Sequence, residues 1–188
     1  MAGFTAGAKD RGLHFARTRE AADRFLTEVR REVERAIAAQ CGTPPRLRSI
    51  HERPGHATPE YRNLAIPVPD GIGGTPPDVL SATIARYAEQ KRPDRLLLAI
   101  DAAICAADGA VCPVLIVEAR DRAGTRLFWM QGYTVEDGRV AGWADPHDGG
   151  WRDPGAEAMI LDAAFTNAAV PVVAPAPPAA VVGSSAAT

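Results

Sequence analysis

Residues 94–145 constrain the fold more than any other part of the chain, because apolar runs there alternate with turn signals at the spacing of a β-meander. The runs are Leu96–Ile100, Val111–Ala119, Arg126–Val135 and Arg139–Trp143, broken by Asp108-Gly109, Asp121–Gly124 and Asp137-Gly138. Asp137-Gly138 is a two-residue hairpin signal that sets Glu136 opposite Arg139 and Val135 opposite Val140. Asp121–Gly124 fits a longer turn with Gly124 in the left-handed position. Asp108-Gly109 has two readings. As a two-residue turn it pairs Asp101 with Ile116, Ala99 with Glu118 and Cys105 with Cys112; alternatively, Asp101–Asp108 is a short helix. Along Arg126–Val135, Leu127, Trp129, Tyr133 and Val135 share one face, and Phe128 and Met130 the other. A strand apolar on both sides is expected at the centre of a sheet with both faces covered.

Two helices accompany these strands. Thr18 is placed to cap a helix over 19–40, whose residues Ala22, Phe25, Leu26, Val29, Val33, Ala36 and Ile37 trace one helical stripe. Thr75-Pro76-Pro77-Asp78 starts a second helix with Leu80, Ile84, Tyr87 and Ala88 inward, and Pro93 closes it. Between them, residues 42–75 are rich in Pro, Gly and Arg. Extended pieces are expected at Leu47–His51 and Tyr61–Val68, the latter at a sheet edge because of Pro67 and Pro69. A third helix is expected over 156–167. The fold class is α+β: an antiparallel four- to five-stranded meander sheet packed against two or three helices, the two long ones on one face. The expected organisation is a flexible N-terminal arm (1–17), a single α+β domain (18–167) and a disordered Ala/Pro-rich tail (168–188).

Composition removes some function classes. A net charge of −2 is a poor match to nucleic-acid or membrane-surface binding. No run approaches the roughly 18 apolar residues that span a bilayer. The N-terminus lacks the apolar core of a secretory signal, and three cysteines do not complete a disulfide framework. A cytoplasmic protein is expected. Nineteen Arg against two Lys, with abundant Ala, suggest a GC-rich bacterial genome.

Four groups of residues are candidates for chemistry or recognition. His51, His56, Asp145, His147 and Asp148 together have the ligands for a divalent cation that would activate water, although Asp-Pro and Asp-Gly-Gly are also ordinary turn chemistry. Trp129, Tyr133, Trp143 and Trp151 lie around a polar loop and suit a ligand or partner surface, or the end of a core. Cys105 and Cys112, directly opposed if the two-residue turn holds and then about 5.5 Å apart, are either buried free thiols or a redox pair. Asp101 and Glu118 are acids at the ends of apolar runs, suited to acid–base work, to a solvated face, or to pairing with Arg120 or Arg126. The loop Asp70–Thr75 precedes a helix as a phosphate cradle does, but Pro76 and Pro77 remove two of the amides such a cradle needs.

With no convergent catalytic set, the leading expectation is a non-catalytic accessory or protein-interaction module. Its partner would be another protein or a second copy of the chain, with no nucleic acid, membrane or cofactor. One alternative is a metal-dependent hydrolase using the His51, His56 and Asp145–Asp148 residues with a divalent metal. The other is a small-molecule-binding protein whose pocket the tryptophans line.

Overall fold

The computed structural model describes residues 8–53, 55–67, 76–106 and 109–165. Helix α1 (Ala8–Ala38) leads into strands β1 (Arg46–His51) and β2 (Glu60–Ala65), and α2 (Pro77–Lys91) follows. Then come β3 (Arg95–Cys105), β4 (Val111–Asp121), β5 (Arg126–Glu136) and β6 (Arg139–Trp143). A 3-10 turn at His147–Gly149 and a 3-10 helix at Ile160–Phe165 complete the order. The Asp70–Thr75 loop and the 168–188 tail fall outside the described residues.

The architecture is α+β, as the turn pattern implies, but among the described residues the sheet has six strands in the order β2-β1-β3-β4-β5-β6, every pair antiparallel. The meander supplies four of them. Both extended pieces of the Pro-rich segment add to it, with β2 at the edge as expected of a strand followed by Pro67. β5 is second from the opposite edge; the central strands are β3 and β4.

The two long helices lie on opposite faces of the sheet, against the expectation of one shared face. On one face, Ala22, Phe25, Leu26, Val29 and Val33 of α1 bury against Ile50, Leu97, Ala99, Leu115, Val117, Ala119 and Leu127. On the other, Leu80, Ile84 and Ala88 of α2 join Leu161 and Phe165 over Leu47, Leu96 and Leu98. The cause is the alternation within β3. Its consecutive leucines point alternately up and down, so the run buries fully only between two helical layers.

α1 also starts earlier than expected. Residues 8–17 are helical, not a loose arm, and Thr18 is no cap. Thr18 is buried mid-helix and donates its hydroxyl hydrogen bond to Asp121 Oδ2 at 2.6 Å. The expected helix over 156–167 is the shorter 3-10 segment, with Leu161 and Phe165 inward. Among the described residues, no helix is long and apolar enough to cross a membrane.

Turn chemistry reproduces two hairpins of the meander. Asp137 (φ 50°) and Gly138 (φ 72°) form the two-residue turn, and Glu136 pairs with Arg139 and Val135 with Val140. Gly124 (φ 96°) takes the left-handed position of the β4–β5 turn. The β3–β4 connection differs. Ala106 N–H donates to Ala110 C=O at 2.8 Å, so the strands close one residue out of step with a two-residue turn at Asp108-Gly109. The register pairs Cys105 with Val111 and Ile104 with Cys112.

Candidate functional site

That register decides several candidate sites. A shift of one residue turns a side chain to the other face of a sheet. Cys105 therefore points to the α1 side with Val111, and Cys112 to the α2 side with Ile104. The two thiols are free, and the expected redox pair is not formed, because facing residues alone can bridge. Asp101 pairs with Leu115 and Glu118 with Leu98, so these acids also occupy opposite faces.

The β3–β4 hairpin outruns its neighbours. β1 pairs with β3 only from Arg95 to Ala99, and β5 pairs with β4 only as far as Val114. Ile100–Cys105 thus have β4 on one side and, among the described residues, no strand on the other. Burial tracks this change. Leu96, Leu97 and Leu98 are 0 % exposed, whereas Ile104 is 40 % and Val111 67 % exposed. Ala106 and Ala110 form a hydrogen-bonded pair towards β4, so alternation directs the backbone groups of Asp101, Ala103 and Cys105 to the open side. The resulting arm is apolar on both faces: Ile104 and Cys112 on one, Val111 and Ala103 on the other. The one charge within Ile100–Cys105, Asp101, accepts a hydrogen bond from the Tyr133 hydroxyl at 2.6 Å. Burial, helped by that carboxylate, pushes the Tyr133 phenol pKa up.

The aromatic group does assemble, on the α1 side of the sheet. Trp129 stacks obliquely on Trp151 with centroids 5.3 Å apart, and Tyr133 on Trp143 at 5.0 Å. Trp143 donates its indole N–H to Glu34 at 2.9 Å, under the guanidinium of Arg30, and Trp151 donates to Asp23. All four pack against the α1 core, closing its end. Gly150 is required there: a Cβ on it would lie 2.6 Å from the Trp129 ring. The loop of residues 144–155 returns along β5, where Arg152 and Phe128 exchange backbone hydrogen bonds.

The five residues of the metal reading do not converge. His51 ends β1 and His56 lies in the β1–β2 connection, whereas Asp145, His147 and Asp148 sit on the loop beyond β5. β3 and β4 intervene, so β1 and β5 are three strand spacings apart, about 14 Å. That exceeds the roughly 2 Å bonds of a shared ion. His147 pairs with Asp148 at 3.1 Å, and Asp148 also pairs with Arg152. Among the described residues, no three His, Cys, Asp or Glu are grouped to hold a metal.

Two buried polar networks were not apparent from the sequence. Glu118 accepts the backbone N–H groups of Ile160 (3.2 Å) and Leu161 (3.0 Å), capping the 3-10 helix in place of pairing with arginine. Burial raises its pKa, and the two amides offset only part of that. Arg120 and Arg126 instead converge on Asp162, at 2.8 and 2.9 Å. Burial pushes Asp162 up, but Arg126, the Met159 amide and Arg120 together hold it below its ordinary range. On the α1 side, Arg95 donates to Thr18 (2.9 Å) and Glu52 (2.6 Å), next to the Thr18–Asp121 bond. The available signal was a charge at alternate positions of an apolar strand, Glu118 and Arg120, which requires a partner on that face.

Two clefts flank these networks. One of about 880 Å³ lies between α2 and the 3-10 helix, lined by Ala82, Ala85, Arg86 and Phe165. The other, about 610 Å³, lies between α1 and the β1–β2 connection. Its arginines are already paired, Arg17 with Glu52, Arg24 with Glu20 and Arg53 with Glu60. Neither is lined by the tryptophans.

No protein-family model matches the chain, and no curated protein or solved structure is significantly similar to it.

Proposed function

We propose that this chain is a non-catalytic accessory protein that acts by binding another protein chain, with the β3–β4 arm as its contact. The observation that carries this reading is a hairpin that leaves the core with an unpaired edge and apolar side chains on both faces. Exposed strand edges are usually guarded by charged side chains, Lys above all, by Pro, a bulge or a covering segment, because they template pairing with other chains, and the one charge on this edge, Asp101, is engaged by Tyr133. Ile100–Cys105 contain neither Lys nor Pro, and their register is regular. An extended partner added to such an edge gains main-chain hydrogen bonds, with alternate side chains giving specificity. The hydrolase reading has less support, since its ligands lie three strands apart. The pocket reading is weakened by tryptophans that fill against α1.

The test places a photoreactive benzophenone side chain at Ile104 or Val111 of the full chain in the cells that make it, with Arg31 on the solvated face of α1 as control. Protein adducts at 104 and 111 but not at 31 are expected. Adducts absent from both arm positions, or equally abundant at Arg31, would overturn the reading.

A further inference from the structure

We infer that the partner of the open β3 edge is a second copy of this chain, joined by antiparallel pairing of the two edges about a two-fold axis at Ala103. The inference rests on the arm being a protein-contact site. The outward backbone groups belong to Asp101, Ala103 and Cys105, and an antiparallel copy presents the same three in reverse order. Ala103 then meets Ala103 of the other copy, and Asp101 meets Cys105, each as a hydrogen-bonded pair.

Charge selects this register. Centring the axis on Asp101 would set two carboxylates directly opposite, which is unfavourable. Centring it on Ala103 leaves each Asp101 opposite an uncharged thiol and still bonded to its own Tyr133. Length agrees as well. The open stretch is bounded by Ala99, already paired with Arg46, and by Cys105, where β3 ends. Within it the outward-facing backbone groups run from Asp101 to Cys105, a span symmetric about Ala103. The central side chains are alanines, small enough for close approach, with Ile104 facing Ala102 of the other copy across the axis.

Sedimentation equilibrium of the full chain tests this. The mass is expected to rise from 19.9 kDa towards twice that value as concentration increases. Ala103→Pro removes only an outward N–H, so the fold persists while the dissociation constant rises roughly tenfold or more. Ala103→Asp and Ala103→Lys each weaken self-association roughly fivefold or more, and an equimolar mixture of the two restores the dimer. That rescue depends on residue 103 meeting itself and cannot arise from misfolding. A mass that stays at one chain overturns the self-pairing while the benzophenone adducts still decide the interaction reading. A dimer unaffected by all three variants overturns the edge geometry, and if adducts at 104 and 111 are also missing, the interaction reading falls with it.

Discussion

The two halves of the β3–β4 hairpin are similarly apolar and differ in outcome. The half nearer the helices, Arg95–Ala99 with Val117–Asp121, is flanked by β1 and β5 and sandwiched between α1 and the α2 layer. In the outer half, Ile100–Cys105 with Val111–Ile116, β1 is lost; Val114 and Leu115 stay buried, Leu115 in the α1 core, but Ala103–Cys105 and Val111 at its end are exposed. Hydropathy does not distinguish Leu96-Leu97-Leu98 from Ala103-Ile104-Cys105 strongly enough to foretell this. Burial in a sheet is set by lateral neighbours and by what covers each face. A buried core strand and an exposed arm can therefore be one continuous element.

The largest expected contrast comes from truncating each half. Leu97→Ala leaves a cavity in the α1 core and should cost about 2–5 kcal/mol in urea unfolding, against about 0.5 kcal/mol or less for Ile104→Ala measured on the monomer. Equal losses would mean that the outer half is covered as well as the inner.

A smaller effect is expected at Glu118. Replacement by Gln leaves one of the Ile160 and Leu161 amides without an acceptor, at about 1–3 kcal/mol. Its pH dependence has a definite sign. The folded pKa is raised above 4.5, so the folded state holds the proton more tightly than the unfolded. The contribution of Glu118 is complete below pH 4.5 and is lost as pH rises through the folded value. Asp162, held below 3.8, acts oppositely, its contribution disappearing as pH falls through its folded value. Unfolding free energies of the wild type and Glu118→Gln should therefore diverge in slope above pH 4.5. Parallel profiles would place the Glu118 carboxylate in solvent.

The smallest effect concerns the arm's thiols. Cys105→Ala should change stability by about 0.5 kcal/mol or less. Mild oxidation should yield no Cys105–Cys112 bridge by peptide mapping, and alkylation should reach exposed Cys105 before half-buried Cys112. A bridged peptide would restore the two-residue register.

Much of the fold was legible wherever a signal spans a few residues. Asp137-Gly138 set the β5–β6 pairing because positive φ at both positions is a local demand that Asp and Gly meet. The α1 stripe was readable from its spacing, and Pro67 marked β2 as an edge. Asp108-Gly109 misled by one residue, since its register is closed by Ala106 and Ala110 and not by the Asp-Gly step. That single step put Cys105 and Cys112, and likewise Asp101 and Glu118, on opposite faces of the sheet. Of the candidate site, the aromatic residues were found but their setting was not. The indoles of Trp143 and Trp151 are held by Glu34 and Asp23, more than a hundred residues earlier in the chain. The exposed arm was hidden because β1, whose end exposes it, enters the sheet from outside the meander.

Sequence alone determined the inventory of this protein: two amphipathic helices, a run of antiparallel strands and the turns between most of them. These depend on periodicity and backbone preference, which act over a few residues. The tertiary structure alone decided that α1 and α2 take opposite faces, that β1 pairs with β3 only as far as Ala99, and that Thr18 meets Asp121 and Glu118 caps the 3-10 helix. Those outcomes depend on contacts between segments distant in the chain, where the free energy lies in burial and in the pairing of buried polar groups.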